Sequence, residues 1–366
     1  QIRSGEAFYR AESCPGRDLA VLAAALHRER TGCLRVLDVM AGSGMRGARY
    51  FSQADADEVW INDGSTDLHD AMVYNMSERD RPPGSSARRI RISHADANRL
   101  LTSCYMRELY YDVVDVDSFG SETMHFPAAI DAVRYGGLLY LTSTDGFTSS
   151  GKRPARGLAA YGTYARATPW ANEQGLRMII GAAVREAAAR GVTLTPVFSL
   201  YSYHGPVFRV MLRATRSAEW HVRHYGFMGH CFVHGDNYTV SWPDLGTATC
   251  RCETRGRRPA PGTGTPLVLA GPLWTGPLHD KAELRAMAKE AARRGWAGFG
   301  LDETAAPHLQ NRDLLEVLIE EADPRLPPGF FSIDASVARR LARPPPRDAL
   351  ITVLRQEGFA AARCHL

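Results

Sequence analysis

The chain has 366 residues, 45% of them hydrophobic and 23% charged, which excludes a disordered protein and supplies more apolar material than a single core usually organises. Lys and Arg number 44 against 40 Asp and Glu, a formal net charge of +4, so any nucleic-acid surface has to come from local clustering of charge. Seven scattered cysteines, an odd number, do not form a disulfide framework and suit a reducing compartment, and no run approaches the ~18 apolar residues needed to cross a bilayer.

In chain order, the first half alternates β-type apolar runs with helical patterns. Strands are expected at Leu34–Met40, Val59–Asn62, Arg89–Ser93, Asp112–Val116 and Gly137–Thr142, and helices at Asp67–Asn75 and Pro127–Tyr135. A long amphipathic helix follows at Gly175–Arg190, then strands at Val192–Leu200 and Val207–Arg213. This pattern predicts an α/β fold with a mostly parallel sheet and helices on both faces. A domain boundary is expected near Arg213–Glu219, giving 1–215 and 216–366. The second part reads as a smaller α+β unit with a Cys/His segment, a Gly/Pro/Arg loop at Arg255–Pro266 and several helical stretches.

The run Arg35-Val36-Leu37-Asp38-Val39-Met40-Ala41-Gly42-Ser43-Gly44-Met45-Arg46-Gly47 ends a strand in a glycine-rich turn, which lets the backbone pass close to a nucleotide-like ligand. Asp38 stands on the strand where dinucleotide folds keep an apolar residue, and Arg46 inside the loop is placed to reach a methionine carboxylate. Asp63 closes the second strand, and its two oxygens suit both ribose hydroxyls. At the end of the third, His94-Ala95-Asp96-Ala97 lies over the same crevice, although Asp96 alone reads equally as a helix N-cap. These features fit S-adenosylmethionine, and the glycine turn by itself also fits NAD.

Asp115-Val116-Asp117-Ser118-Phe119-Gly120 ends the fourth strand. A carboxylate followed two residues later by an aromatic suits methylation of an amino group on a planar base. Asp117 accepts from the N–H groups and stabilises charge as nitrogen attacks, Asp115 supports it, and Phe119 stacks on a flipped-out base. The plainer alternative is an Asp capping the next helix with Phe119 in the core.

With these motifs the chain resembles the tRNA guanine-26 N2-dimethyltransferases along nearly its whole length. Phe8-Tyr9 and Arg17-Asp18 are similar to that family's N-terminal segment, whose Arg contacts the cofactor. Arg46, Asp63, Asp96 and Ala97 match its other cofactor positions, and the 115–120 run its Asp-Leu-Asp-Pro-Phe-Gly motif. Thr142-Ser143-Thr144-Asp145, Tyr161-Gly162, Asn172-Glu173, Leu176-Arg177, Gly271-Pro272-Leu273-Trp274, Gly358-Phe359 and Arg363-Cys364-His365 follow in the family's order. The resemblance implies a Rossmann-like class I methyltransferase domain with a seven-stranded sheet, then a C-terminal RNA-binding domain. It also implies S-adenosylmethionine as cofactor, tRNA as partner, and one or two methyl transfers to N2 of guanine.

The chain departs from the family at Ser118, where the motif has Pro, and at His204-Gly205-Pro206, where the family has a His-Tyr strand. Ending at Leu366 where the family commonly continues, it is expected to be a fragment or a divergent branch of cyanobacterial and plastid-like type. Many members carry a four-cysteine zinc site; here Cys231-x-x-His234 and Cys250-x-Cys252 stand in its place, and the changed ligand and one-residue spacing favour vestigial cysteines over bound zinc. For tRNA, Arg339, Arg340, Arg343, Arg347, Arg355 and Arg363 stand against Asp334, Asp348 and Glu357, on helices expected at 334–343 and 347–356. Arg251, Arg255, Arg257 and Arg258 form a second cluster. The expected protein is soluble and intracellular, in cytoplasm or an organelle such as a plastid, with no membrane or protein partner. Two other readings stay open: a tRNA-binding module with a decayed site, and an NAD-dependent oxidoreductase.

Overall fold

A computed structural model describes residues 10–77, 89–202, 205–217, 220, 222–252, 259–296, 314–333 and 345–366. Its main sheet has seven strands: β1 (Arg35–Asp38), β2 (Glu58–Asn62), β3 (Arg89–Ser93), β4 (Tyr111–Asp117), β5 (Val133–Ser143), β6 (Val192–Ser202) and β7 (Val207–Arg216). They lie in the order β3-β2-β1-β4-β5-β7-β6, with β7 alone running against its neighbours. All seven expected strands are present, and the sheet is mostly parallel as the alternating pattern implied.

Successive strand residues face opposite cores. Val36, Val113, Leu138 and Tyr140 face a layer built on α1 (Cys14–Thr31) and α2 (Met45–Gln53). Leu37, Val114, Leu139 and Leu141 face the other layer, where α4 (Ala97–Met106), α5 (Phe126–Ala132) and α8 (Ala171–Ala188) pack. Between β2 and β3 lies α3 (His69–Asn75).

Two expected boundaries move. The strand expected to reach Met40 stops at Asp38, because Val39 and Ala41 turn to bond Asp115 and Asn62 across the strand ends. The helix expected to Tyr135 stops at Ala132, and Val133 already pairs with Tyr111 in the sheet. A β-branched residue fits that pleated position better than a helix end, and a register shift follows between Tyr111 and Val113.

Past Arg216 a three-stranded antiparallel sheet forms from β8 (Tyr225–His230), β9 (Asn237–Val240) and β10 (Val268–Trp274), in the order β10-β8-β9. β10 packs on α8 so closely that a Cβ on Gly181 would lie 2.9 Å from the Trp274 nitrogen. Arg177 fastens this joint, donating to Glu173 at 2.8 Å and to the carbonyls of Trp274 and Gly276 at 3.1 and 2.7 Å. Helices α9 (Lys281–Arg293) and α10 (Leu314–Glu321) lie beyond the small sheet in sequence yet pack with α1, placing Leu284, Met287, Leu315 and Leu318 in the first core. The chain's end returns as well: the His365 backbone N–H and Nδ1 both meet Glu321 at 2.6 Å, while its Nε2 accepts from Tyr201 N–H at 3.2 Å. The last helix, α11 (Arg347–Gln356), matches its expected span, whereas the helix expected at 334–343 lies outside the described residues. Among the described residues, no helix is long and apolar enough to cross a membrane.

Candidate active site

A cleft of about 940 Å³ opens over the carboxyl ends of the parallel strands, where open α/β sheets bind ligands. Its first wall comes from the glycine turn. Gly42 and Gly44 both have positive φ, 57° and 79°, and Gly44 opens α2; a Cβ there would also press within 2.9 Å of Ile61. Gly42 N–H donates to Asp63 Oδ2 at 2.9 Å and Ser65 N–H donates to Asp63 Oδ1 at 3.0 Å, so the carboxylate at the end of β2 is aimed by two backbone groups. Each oxygen keeps a free lone pair for a ribose hydroxyl. Asn62, buried beside it, donates to Val39 and Ala95 carbonyls at 3.0 and 2.9 Å and so holds three strand ends together. Asp96 is both things the sequence allowed: it caps α4 through Arg99 N–H at 3.0 Å and lines the cleft with Ala97.

The other wall carries the acceptor residues. Asp117, with its side chain 37% exposed, lines the same cleft as Gly42, Asp63 and Asp96. Phe119 is 80% exposed at its rim, and so is not the core residue of the alternative reading. Arg46 was expected on a methionine carboxylate. It lines the cleft, and its largely buried guanidinium also faces three aspartates, at 2.9 Å from Asp117, 3.3 Å from Asp115 and 3.8 Å from Asp38. Asp115 is fully buried beneath the cleft and also accepts from Tyr50 Oη at 2.9 Å. Asp38, expected among the cofactor's contacts, lies under the floor too. It is fully buried and accepts from Gly47 N–H at 3.1 Å, because a Gly-rich turn this tight leaves its amides pointing back at the strand. Burial pushes Asp38 up to about 8 against the pull of Arg46, and pushes Asp115 up to about 6. Arg17 lines the cleft from α1, its guanidinium donating to the Arg10 carbonyl at 3.2 Å.

Ser118 takes the place of the motif's Pro, and its Oγ donates to the Thr142 carbonyl at 3.4 Å, a tether where the ring would have given rigidity. Gly120 is fixed to the neighbouring strand end in both directions: its N–H donates to Thr144 Oγ1 at 2.7 Å and its carbonyl accepts from Thr144 N–H at 2.9 Å.

Three functional-site residues escaped sequence reasoning. Arg209 lines the cleft from β7 while buried, donating to Ser13 at 3.1 Å and Ser202 at 3.3 Å. The signal was a single Arg inside the apolar run Val207-Phe208-Arg209-Val210-Met211. Tyr50 had no signal apart from its helix. Glu122, directly after the acceptor loop, is fully buried with Oε2 3.4 Å from Tyr161 Oη, and burial pushes it up to about 7.

Apart from the cleft, the ligating atoms of Cys231, His234, Cys250 and Cys252 all lie within 4.8 Å of one another. Cys231 Sγ is 3.2 Å and Cys250 Sγ 3.7 Å from His234 Nδ1. Three thiols and an imidazole converging from two loops are a donor set that Zn²⁺ accepts, despite the one-residue spacing in sequence. His279, Glu321 and His365 also converge. There the backbone N–H groups of Ser199 and Tyr201 occupy one nitrogen of each ring, so the other nitrogens carry the protons that face Glu321. Glu321 bonds His365 at 2.6 Å and lies 3.3 Å from His279 Nε2, so the cluster reads as a buried polar joint between three segments. Of the C-terminal arginines, Arg363 and Arg355 bond Asp348 and Glu320 at 3.0 and 3.1 Å, and Arg347 approaches Asp348 at 3.9 Å. Arg339, Arg340, Arg343, Arg255, Arg257 and Arg258 lie outside the described residues.

A family model described as N2,N2-dimethylguanosine tRNA methyltransferase matches residues 2–366. The chain belongs to that family. Among its relatives, the tRNA (guanine(26)-N(2))-dimethyltransferase of Thermococcus kodakarensis is 29% identical over 380 residues, covering 100% of this chain and 89% of the relative. That of Methanothermobacter thermautotrophicus is 28% identical over 366 residues, covering 98% and 87%. The structure of Trm1 from Pyrococcus horikoshii with S-adenosyl-L-methionine superposes with a TM-score of 0.73 at 24% identity, covering 100% of this chain and 91% of that one. The two chains share a fold through both sheets' regions. For a member of this family the nicotinamide reading has no remaining support.

Proposed function

We propose that this chain is an S-adenosylmethionine-dependent tRNA methyltransferase acting on N2 of guanine at position 26, as its relatives' names state for them. One observation carries the reading: Asp117 and the exposed ring of Phe119 share a single cleft with the nucleoside-type wall of Gly42, Asp63 and Asp96. Arg17, Asp63, Asp96 and Ala97 would hold the cofactor, with Gly42 giving its backbone room; bound there, S-adenosylmethionine supplies an electrophilic methyl group. Arg46 sits at the border between cofactor and acceptor sides.

The chain's own residues do the rest. A guanine amino nitrogen is a poor nucleophile because its lone pair is delocalised into the ring. Asp117 accepts from its N–H, concentrates the lone pair and would take the proton shed as the methyl carbon exchanges its bond to sulfur for one to nitrogen, leaving S-adenosylhomocysteine. Phe119 offers a face for the extruded base. Arg46, anchored by Asp115 below, holds Asp117 toward the cleft. Residues 1–215 would form the catalytic part and 216–366 the tRNA-holding part: the large sheet ends at Arg216 and the small one starts at Tyr225, while α9 and α10 return to pack in the first core and tie the two parts together. Zn²⁺ at Cys231, His234, Cys250 and Cys252 would lock two loops of that second part. All seven cysteines are unpaired, which supports a reducing compartment.

The test is incubation with labelled S-adenosylmethionine and unmodified tRNA. Label is expected in N2-methylated guanosine at one site, and its rate of entry is expected to fall by ~10²–10³-fold with Asp117→Ala. Wild-type protein that binds tRNA and cofactor but transfers nothing would instead identify a decayed binding module.

A further inference from the structure

The C-terminal arginines expected to grip RNA are engaged with acids where they are described, which directs attention to a different surface. Residues 146–172 contain Lys152, Arg153, Arg156 and Arg166 and no acidic residue. Among the described residues, none of these four cations pairs with a carboxylate. The stretch forms α6 (Gly146–Ser149), α7 (Pro154–Tyr161) and the loop that follows.

It begins at the acceptor loop. Thr144 is bonded to Gly120 in both directions and lines the cleft; three residues later Phe147 stands 63% exposed. An exposed Phe usually signals a loose loop, but this one is mounted on a rigid base. Thr148 and Ser149, the two residues that follow it, are buried, Asp145 caps the turn through Thr148 N–H at 3.1 Å, and Gln174 donates to the Ser149 carbonyl at 2.6 Å. Gly146 packs on cleft-lining Pro206, 2.3 Å from where a Cβ would sit. Arg153 lies over the Phe147 ring at 5.4 Å and Arg166 over the exposed Tyr164 ring at 5.8 Å. Cations interleaved with exposed rings, with the flanking acids Asp145 and Glu173 bonded to Thr148 and Arg177, form the surface that a single-stranded or unstacked nucleic acid takes: phosphates on the cations, base faces on the rings.

We infer that α6 and α7 form a second RNA-binding surface, on the catalytic part itself, that holds the tRNA strand flanking the target guanine. Phe147 stacks a neighbouring nucleotide while Phe119 takes the target, and Lys152, Arg153 and Arg156 neutralise the flanking phosphates. This rests on the proposed tRNA substrate and adds where the strand runs. Such a clamp keeps the duplex open beside the extruded base, where unstacking costs energy.

The test uses the full chain, unmodified tRNA and S-adenosylhomocysteine as cofactor probe. Reversing all three cations (Lys152→Glu, Arg153→Glu, Arg156→Glu) is expected to weaken tRNA binding by at least ~100-fold at low salt and to reduce the salt slope by about 2–3, leaving cofactor affinity unchanged. Phe147→Ala is expected to lose about tenfold in tRNA affinity, with Phe147→Tyr close to wild type. Wild-type affinity and slope in the folded triple variant would overturn the inference. The single changes Lys152→Ala and Arg156→Ala, each expected to lower the slope by about 1, decide the matter if the triple variant does not fold. Because these readouts are binding alone, they stand apart from the methyl-transfer assay. A wild type that binds tRNA but transfers no methyl sinks the proposed activity and leaves this surface intact.

Discussion

Arg46 Nη1 on α2 lies 2.9 Å from Asp117 Oδ2 at the end of β4, and the same guanidinium is 3.3 Å from Asp115. One buried cation therefore serves a carboxylate that opens to the cleft and another sealed beneath it, with Asp38 as a third neighbour at 3.8 Å. Three carboxylates around one guanidinium cannot all ionise cheaply when two of them, Asp38 and Asp115, are fully buried. Burial bears on this most strongly at Asp38, pushing it up to about 8 against the pull of Arg46.

This arrangement separates two kinds of variant. Asp117→Ala removes the group that faces the amino nitrogen and should lower kcat by ~10²–10³-fold, in line with loss of one preorganised electrostatic partner, with cofactor affinity retained. Arg46→Ala leaves buried carboxylates uncompensated and should destabilise the fold by about 3–5 kcal/mol in urea unfolding. Equal stability of Arg46→Ala and wild type would show that the aspartates are not held by this side chain.

Phe119 should behave in the opposite way to a core aromatic. At 80% exposure it contributes little to folding, so Phe119→Ala should shift stability by less than about 0.5 kcal/mol. The same change should cost about 1–3 kcal/mol of base stacking, read as a roughly 5- to 150-fold fall in kcat/KM for tRNA, with Phe119→Tyr retaining most of it. A fall in thermal stability without a fall in kcat/KM would place the ring in packing instead.

The strand-end acids were legible because a charged residue closing an apolar run has few structural uses, and Asp63, Asp96 and Asp117 do share one cleft. Depth was not legible. Nothing in the local sequence distinguishes Asp117, which opens to the cleft, from Asp115 and Asp38, which lie below it; that depends on the pleat and on where Arg46 enters. α1 was missed because Leu19 through Ala24 is buried without interruption, which erases the polar stripe that betrays a helix. The zinc-type donors looked mismatched in spacing because the pattern is one-dimensional, whereas the hairpin from Cys231 to His234 and the loop at Cys250 set the actual distances. His279, Glu321 and His365 meet from three separate segments, a juxtaposition no window of sequence contains.

The Cys231, His234, Cys250, Cys252 cluster should hold one Zn²⁺ per chain, measurable by elemental analysis of protein purified without chelator. Removing the metal, or Cys250→Ser, should lower the melting temperature by several degrees, since a closed structural site contributes directly to folding. Methyl transfer at low temperature should persist, because the cluster lies outside the cleft lining. A metal-free protein with unchanged melting behaviour on adding Zn²⁺ would assign these residues to plain packing.

Glu122 gives a pH dependence with a defined sign. It follows the acceptor loop, is fully buried, and shares Tyr161 with Ser143, whose Oγ bonds the Gly120 carbonyl at 2.9 Å. Burial, reinforced by the charge of Asp145, raises it from 4.5 to about 7 against the hydrogen bonds from Ser143 and Tyr161. A carboxyl raised in the fold contributes stability that is complete below its unfolded value and is lost as pH rises toward the folded value. Between those two values the unfolded chain has already released its proton while the folded chain keeps it; above about pH 7 the loss is complete, at about 3 kcal/mol. Glu122→Gln keeps the shape and an acceptor for Tyr161 but cannot ionise. It should match wild type near about pH 4 and exceed it by up to about 3 kcal/mol near about pH 8, with Asp38 and Asp115 cancelling because both proteins carry them. Urea unfolding across that range checks the difference. Parallel stability curves for the two proteins would mean that Glu122 ionises without cost and that the raised value is not a property of the fold.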